Sequence, residues 1–235
     1  MRPETSGWHY IDIPRVTPRR ALEEFCPAST GCLLSALKQQ IESLRHDDAD
    51  PRMRAEALRF VIHFVGDLHQ PLHCASNNDL GGICLPVDFF GAAPVEENLQ
   101  YESYAPNLHA IWESNLIERL KGMASTVEWA TSLDHQFSSQ VGGWKNQGIN
   151  LEDWAWESHE LADAVAYGKL PVGVPDEWPP VEVTSCADDD HVSTRLLKLH
   201  EEVTQRYADV VSPTINEQIA KAGVRLAMIL NQIWP

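Results

Sequence analysis

With 235 residues, the chain is long enough to enclose one sizeable hydrophobic core, and we expect a single domain over residues 1–235. Its 34 acidic residues outnumber 18 basic ones, and the net charge of -16 argues against a basic groove that binds phosphate directly. No run of 18 apolar residues occurs, so the sequence predicts no transmembrane helix and no stable membrane insertion.

Helical spacing of apolar residues dominates the chain from residue 33 onward. One stripe covers residues 33–44, and the next covers residues 53–68, where Asp50-Pro51 forms a favourable helix start. Further helices are predicted at residues 107–120, from Trp154, and at residues 215–233, where apolar residues alternate at steps of four and three. The pattern predicts an all-α, helical bundle-like fold.

Two stretches interrupt the helical pattern. Residues 83–91 have β character and are flanked by turn residues, so we expect a short β-hairpin between two helices there. Residues 168–193 contain four prolines, which predicts a long surface loop before the final helix.

The stretch from His63 to His73 places three histidines and one aspartate within eleven residues. His63 and Asp67 are four positions apart and therefore share one helix face. Pro71 ends the helix, so that His73 can return beside the same face. Imidazole and carboxylate together form a ligand set suited to zinc. The alternative is a helix end that carries buried, hydrogen-bonded histidines.

A second pair, His109 and Glu113, has the same spacing of four within a predicted helix. Such pairs are common on solvated helix faces, and this one gains weight only beside the first cluster. Two helices that each offer a histidine and a carboxylate can build a polynuclear metal site in the core of a bundle.

The five cysteines suggest two local disulfides. Cys26 and Cys32 are close enough to close one small loop, and Cys74 and Cys84 another, which leaves Cys186 unpaired. Two such pairs are typical of an oxidising compartment. Reduced, partly buried thiols remain the alternative.

These segments together resemble the zinc-dependent, single-strand-specific nucleases of the nuclease S-one and nuclease P-one type, which are related to bacterial zinc phospholipase C. Residues 63–73 match the core motif of that family almost letter for letter. Supporting matches lie in the Trp8-His9-Tyr10 segment, the Cys26–Cys32 loop, residues 107–113 and residues 222–231.

The resemblance implies a role for each matched residue. One zinc ion would be held by His9, His63 and Asp67, and a second by His73, His109 and Glu113. Asp67 would also bridge to a third ion and would be the central catalytic residue. His69 would not be a ligand but would orient a ligand or a carboxylate beside the metals.

The chain departs from the family in three places. The nucleases usually carry Asp where this chain has Glu113, and the family's Asp-x-Gly-Gly-Asn segment loses its Asn at Ile83. The N-terminal ligands of the family have no counterpart before Trp8, so the resemblance implies a chain truncated at its N-terminus. Because only Asp67 remains for the third ion, we expect at most two zinc ions and weak or absent nuclease activity in the chain as given.

The resulting prediction is a zinc-dependent phosphodiesterase that hydrolyses single-stranded DNA and RNA, with 3'-nucleotidase activity as a further expectation. The alternatives are a phospholipase C-like phosphoesterase and a non-catalytic, zinc-stabilised helical protein. We expect a monomer that acts on nucleic acid or nucleotides in a secreted or periplasmic location. An unstacked base would pack on one of four aromatic side chains near the ligands: Tyr10, Phe89, Phe90 or Trp112.

Overall fold

The fold is known from a computed structural model that describes residues 3–27, 29, 31–46, 50–98, 103–177, 181, 183–187 and 201–235. These residues are mainly helical, which confirms the all-α prediction. The α-helices are α1 (Leu33–Arg45), α2 (Pro51–Leu68), α3 (Leu108–Ala110), α4 (Leu116–Lys121), α5 (Thr126–Phe137), α6 (Val141–Asn146), α7 (Leu151–Leu161) and α8 (Gln205–Ile233). Short 3₁₀ turns cover Pro3–Trp8, Glu23–Phe25 and Pro71–Cys74.

The helix α2 begins and ends where its sequence predicts. Asp50 caps it by accepting a hydrogen bond from the Arg52 amide, and Pro51 occupies the first helical position, where no amide donor is needed. After Leu68 the chain enters the 3₁₀ turn that starts at Pro71, and the Gln70 side chain caps that turn through the Leu72 amide. The sharp exit brings His73 back toward α2.

Two hydrophobic cores flank this turn. The first packs α1, α2 and α7 around Phe64 and Trp154, and the second surrounds Trp112 and Tyr167 with residues of α8. Leu72 belongs to the second core and Cys74 to the first. His73 therefore lies where the two cores meet.

The strands depart from the expected hairpin at residues 83–91. Within that stretch, β1 (Val87–Phe89) pairs in parallel with β4 (Glu201–Val203). The antiparallel pair is β2 (Val95–Asn98) with β3 (Ser103–Ala105), further along the chain. The turn between Phe89 and Ala92 contains a single antiparallel bridge and does not extend into a hairpin. The strand β1 pairs instead with the distant strand β4.

The disulfides confirm one predicted pair and correct the other. Cys26–Cys32 is bonded, with a Cα separation of 5.1 Å. Cys84 pairs with Cys186 across 102 positions, and Cys74 is a free, buried thiol. The turn at Pro71 directs the Cys74 sulfur toward the Leu68 carbonyl in the first core, away from Cys84. The prediction of a Cys74–Cys84 pair and an unpaired Cys186 was therefore wrong.

The long loop before α8 is only partly described. Residues 168–177, 181 and 183–187 contain neither helix nor strand, and residues 178–180, 182 and 188–193 of the predicted loop lie outside the described residues. Among the residues that the structure describes, none of the helices combines the length and apolarity that a bilayer crossing requires.

Candidate metal centre

The first group of candidate ligands combines α2 with the segment after the N-terminal 3₁₀ turn. His9 Nδ1 lies 3.0 Å from Asp67 Oδ2, and His63 Nε2 lies 3.0 Å from His9 Nδ1 and 3.3 Å from the same oxygen. The three atoms form a nearly equilateral triangle. A tetrahedral zinc ion with bonds of about 2.0–2.1 Å holds neighbouring ligand atoms about 3.3 Å apart. The residues present therefore fit a zinc ion.

The second group joins the turn at Pro71 to the helix that contains His109. His73 Nε2 lies 3.2 Å from Glu113 Oε2, and the rings of His73 and His109 are 4.8 Å apart. One donor atom from each of the three side chains lies within 4.8 Å of the other two. Glu113 projects from a π-helical turn, Ile111–Asn115, that separates α3 from α4. Such turns are frequent at functional sites.

Backbone carbonyls fix the orientation of two of these imidazoles. His73 Nδ1 donates a hydrogen bond to the His9 carbonyl at 2.6 Å, and His109 Nδ1 donates to the Gly81 carbonyl at 3.0 Å. Each ring therefore presents Nε2 to its partners, the arrangement that histidine ligands of metals adopt. The bond from His73 to His9 also connects the two groups directly.

The loop that carries Gly81 is tightly specified. Gly81 has φ +61°, and a Cβ there would lie 2.5 Å from the Leu72 carbonyl oxygen, so only glycine fits. Asp79 anchors the loop by accepting hydrogen bonds from the amides of Asn77 and Gly82 and from the Tyr167 hydroxyl. The glycine pair was visible in the sequence, but the contribution of the Gly81 carbonyl was not.

The pKa shifts of Glu113 and His109 favour the states that bind a cation, whereas the pKa values of Asp67 and His73 are raised, toward their protonated forms. A hydrogen bond from His73 lowers the pKa of Glu113 to about 2, and burial lowers the pKa of His109 to about 4. Burial raises the pKa of Asp67, although the charges of His73 and His63 oppose the shift. A cation beside this buried carboxylate would offset the cost of its ionisation.

His69 has neighbours that the sequence did not predict. Its Nδ1 donates to the Val65 carbonyl, and its Nε2 accepts a hydrogen bond from Arg225 at 2.8 Å. Arg225 also donates to Glu157, which pairs with Lys221. His69 thus supports a buried charge network behind the site, and none of its recorded hydrogen bonds reaches a candidate ligand. Ala222 to Leu226 was singled out in the sequence, but the partners of Arg225 were not.

A helical domain that gathers two groups of two histidines and one carboxylate at a single junction has the features of a metal-dependent hydrolase. The family model described as S1/P1 Nuclease matches residues 1–235. The chain therefore belongs to the S1/P1 nuclease family, and it is a hydrolase that acts on phosphodiester bonds.

The chain is also similar to characterised relatives over nearly its whole length. It is 26% identical to Nuclease P1 of Penicillium citrinum, covering 97% of this chain and 77% of that protein. It is 28% identical to Nuclease S1 of Aspergillus oryzae, with 96% and 71% covered. It is 25% identical to Endonuclease 1 of Arabidopsis thaliana, with 98% and 69% covered.

Proposed function

We propose that this chain is a zinc-dependent endonuclease that hydrolyses single-stranded DNA and RNA. The observation that carries the proposal is the triangle of donor atoms from His9, His63 and Asp67, whose sides match the ligand spacing around zinc. The second group, His73, His109 and Glu113, would hold another ion. Family membership supplies the reaction class, and the site supplies the ligand chemistry.

The candidate ligands would hold the zinc ions, and two backbone carbonyls orient the histidine ligands. Zinc at these groups would supply Lewis acidity toward the phosphate oxygens and would lower the pKa of bound water. Asp67 keeps Oδ2 against His9 and His63, while its Oδ1 lies 4.0 Å from His73 Nδ1. Asp67 would hold the first ion through Oδ2, and we propose that its other oxygen bridges to a further ion. The carbonyls of His9 and Gly81 hold His73 and His109 in place.

The test begins with removal of metal. The purified protein is stripped with a chelator, its metal content is checked by elemental analysis, and cleavage of single-stranded DNA, single-stranded RNA and duplex DNA is followed before and after zinc is restored. We expect loss and recovery of activity, at most two tightly bound zinc ions, and faster cleavage of single strands. Full activity of the metal-free protein, or equal cleavage of duplex DNA, would contradict the proposal.

The same experiment tests a phospholipase C-like activity, because the phospholipase branch carries glutamate at the position of Glu113. Turnover of phosphatidylcholine with no cleavage of single-stranded nucleic acid would favour the lipid phosphoesterase. Release of inorganic phosphate from 3'-nucleotides would add the expected 3'-nucleotidase activity. Bound zinc without turnover of any substrate would favour the non-catalytic alternative.

We also propose a single-domain monomer that works in a secreted or periplasmic location. The two disulfides support an oxidising compartment. The junction of two cores at His73 supports one cooperative domain. Light scattering on the purified protein should give a mass near 26.4 kDa. A single unfolding transition seen by two probes would support one domain.

A further inference from the structure

One peptide group connects the candidate ligand His109 to a buried carboxylate. The Gly81 carbonyl accepts the hydrogen bond from His109 Nδ1 at 3.0 Å, and the Gly82 amide donates to Asp79 Oδ1, also at 3.0 Å. This carbonyl and this N–H belong to the same peptide bond, which is trans, so they point in opposite directions. Asp79 and His109 therefore hold one peptide group from its two sides.

Asp79 lies in the interior as an acceptor. It is fully buried, and three donors reach its carboxylate: the amides of Asn77 and Gly82, and the Tyr167 hydroxyl, which lies 3.0 Å from both oxygens. Burial raises the pKa of Asp79, whereas these hydrogen bonds and the charge of Arg15 oppose the shift. An ionised carboxylate only accepts hydrogen bonds, so its surroundings of donors suit the charged form.

Tyr167 joins this carboxylate to the second hydrophobic core. Its side chain is fully buried in that core, and the Arg15 guanidinium carbon lies 5.1 Å from the centre of its ring. Side chains in close-packed cores keep a fixed position. The hydroxyl of Tyr167 therefore holds the carboxylate of Asp79 in place beneath the glycine turn.

The glycine turn contacts both the ring and the backbone of His109. Gly81 and Gly82 have φ of +61° and +85°, and a Cβ on Gly82 would lie 3.1 Å from Leu108 Cβ. The Gly82 carbonyl accepts a hydrogen bond from the His109 amide at 3.3 Å. A displacement of this turn would therefore move the imidazole of His109 as well.

We infer that Asp79 and Tyr167 are positioning residues that act on His109 through this one peptide group. The inference rests on the proposed function, which places a zinc ion at the second group of candidate ligands. A carboxylate that accepts from the amide polarises the peptide and makes its carbonyl a stronger acceptor. The Nδ1–H of His109 is then held more firmly, which presents Nε2 to the metal and raises its basicity.

The first measurement uses the metal-stripped full chain, so it depends on neither zinc nor activity. Isotope-labelled histidine gives the Nδ1–H of His109 its own NMR signal, assigned by its loss in His109→Gln. We expect Asp79→Asn to move this signal upfield and to speed its exchange with water, because the carbonyl becomes a weaker acceptor. A signal that is absent from the native chain, or unchanged in Asp79→Asn, overturns the inference.

The second measurement is a double-mutant cycle on zinc affinity, determined by competition with a chelator. Asp79→Asn should weaken the binding of one zinc ion by about tenfold or more, since losing a group behind a ligand costs about 10–100-fold in metal affinity. In the His109→Ala background, the same substitution should have no further effect, because the ring on which it acts is gone. An equal loss with and without His109 would indicate a general structural role and overturn the inference.

The matched control is Tyr207→Phe, which removes a buried hydroxyl from the same core. Tyr207 is 2% exposed, and its hydroxyl donates to the Ala166 carbonyl and accepts from Trp112 Nε1. We expect Tyr207→Phe and Tyr167→Phe both to lower the unfolding free energy, but only Tyr167→Phe to weaken zinc binding, by about threefold. Zinc affinity that falls in both variants, or in neither, overturns the role of Tyr167.

The native chain separates this inference from the proposed function. A native chain that binds no zinc overturns both. If the native chain binds zinc at the second group and Asp79→Asn behaves like it in both measurements, the proposed function stands and only the positioning role fails.

Discussion

Asp67 is the residue on which the candidate site depends most. It is 5% exposed, and one of its oxygens lies against both His9 and His63. No other described carboxylate belongs to the first group of candidate ligands. Its charge must therefore balance whatever cation those two imidazoles bind.

The substitution Asp67→Asn tests that role. It keeps the shape of the side chain but removes the charge, so we expect zinc at the first group to be lost and activity to fall by at least about 100-fold. Elemental analysis and oligonucleotide cleavage measure the two effects. Asp134→Asn, on the exposed face of α5, is the control and should behave like the native chain. Native zinc content in Asp67→Asn would remove Asp67 from the ligand set.

Glu157 has a structural role that can be tested without metal. It lies between two nearly buried cations, Lys221 and Arg225, whose side chains are 10% and 4% exposed. Glu157→Gln removes the charged partner of Arg225 and leaves Lys221 paired only with the more exposed Glu217, so we expect the metal-free protein to lose about 2 kcal/mol of unfolding free energy at neutral pH. The control is Glu152→Gln, since Glu152 lies on the same helix as Glu157 and its pair with Lys38 of α1 is exposed and should contribute about 0.5 kcal/mol or less. Denaturant unfolding compares them, and equal losses would reject the role of the network.

The same variant predicts a pH dependence. Burial raises the pKa of Glu157, but Lys221 and Arg225 lower it by more, so its pKa in the folded protein lies below the ordinary value of 4.5. The stabilisation is complete above pH 4.5 and is lost as the pH falls through the lower folded-state pKa, because the unfolded chain takes up the proton first. The stability difference between the native chain and Glu157→Gln should therefore shrink as the pH falls below 4.5. A constant difference would contradict the assignment.

At the scale of single residues, the sequence predicted which side chains gather at the candidate site better than it predicted the groups that contact them. Spacing and resemblance selected the six candidate ligands, and the structure brings them together in two groups. The sequence did not predict the carbonyls of His9 and Gly81, because backbone acceptors leave no residue signature. Nor did it predict the contact of His69 with Arg225, which joins residues 156 positions apart.

Among the elements, helices were predictable and strand and disulfide partners were not. Asp50-Pro51 and Pro71 mark the ends of α2 through local sterics and capping, which a short sequence window contains. β1 pairs with a segment more than a hundred residues away, and so does Cys84. Pairing Cys74 with Cys84 relied on proximity along the chain, whereas the turn at Pro71 buries Cys74 in the other direction.

The two disulfides should differ in their effect on stability. In the chain-entropy description, a cross-link over 102 residues stabilises by about 4.7 kcal/mol and one over 6 residues by about 2.2 kcal/mol. We expect Cys84→Ala/Cys186→Ala to lower the unfolding free energy more than Cys26→Ala/Cys32→Ala, as measured in denaturant. Peptide mapping without reductant should recover both cross-links, and a Cys74–Cys84 peptide would contradict the structure.

For the whole molecule, the net charge of -16 governs the encounter with a polyanion. Repulsion between the chain and the nucleic acid extends over about 10 Å at 0.1 M salt and shortens as salt is added. We expect kcat/KM on single-stranded oligonucleotides to rise between about 0.02 and about 0.2 M salt, opposite to the trend for basic nucleic-acid-binding proteins. Bis(p-nitrophenyl) phosphate, with a single charge, should show a weaker rise. A steep fall on oligonucleotides would indicate a basic binding surface instead.

The order of the chain also separates the ligands from the residues that support them. All six candidate ligands precede residue 114, whereas Arg225 and Lys221 of the buried network lie in α8, and Cys186 lies between the ligands and that helix. During synthesis, the candidate ligands are therefore made well before α8. The Cys84–Cys186 disulfide can form only after Cys186 has been made and an oxidant is present. We therefore expect the enzyme to reach its active form only after α8 has been made.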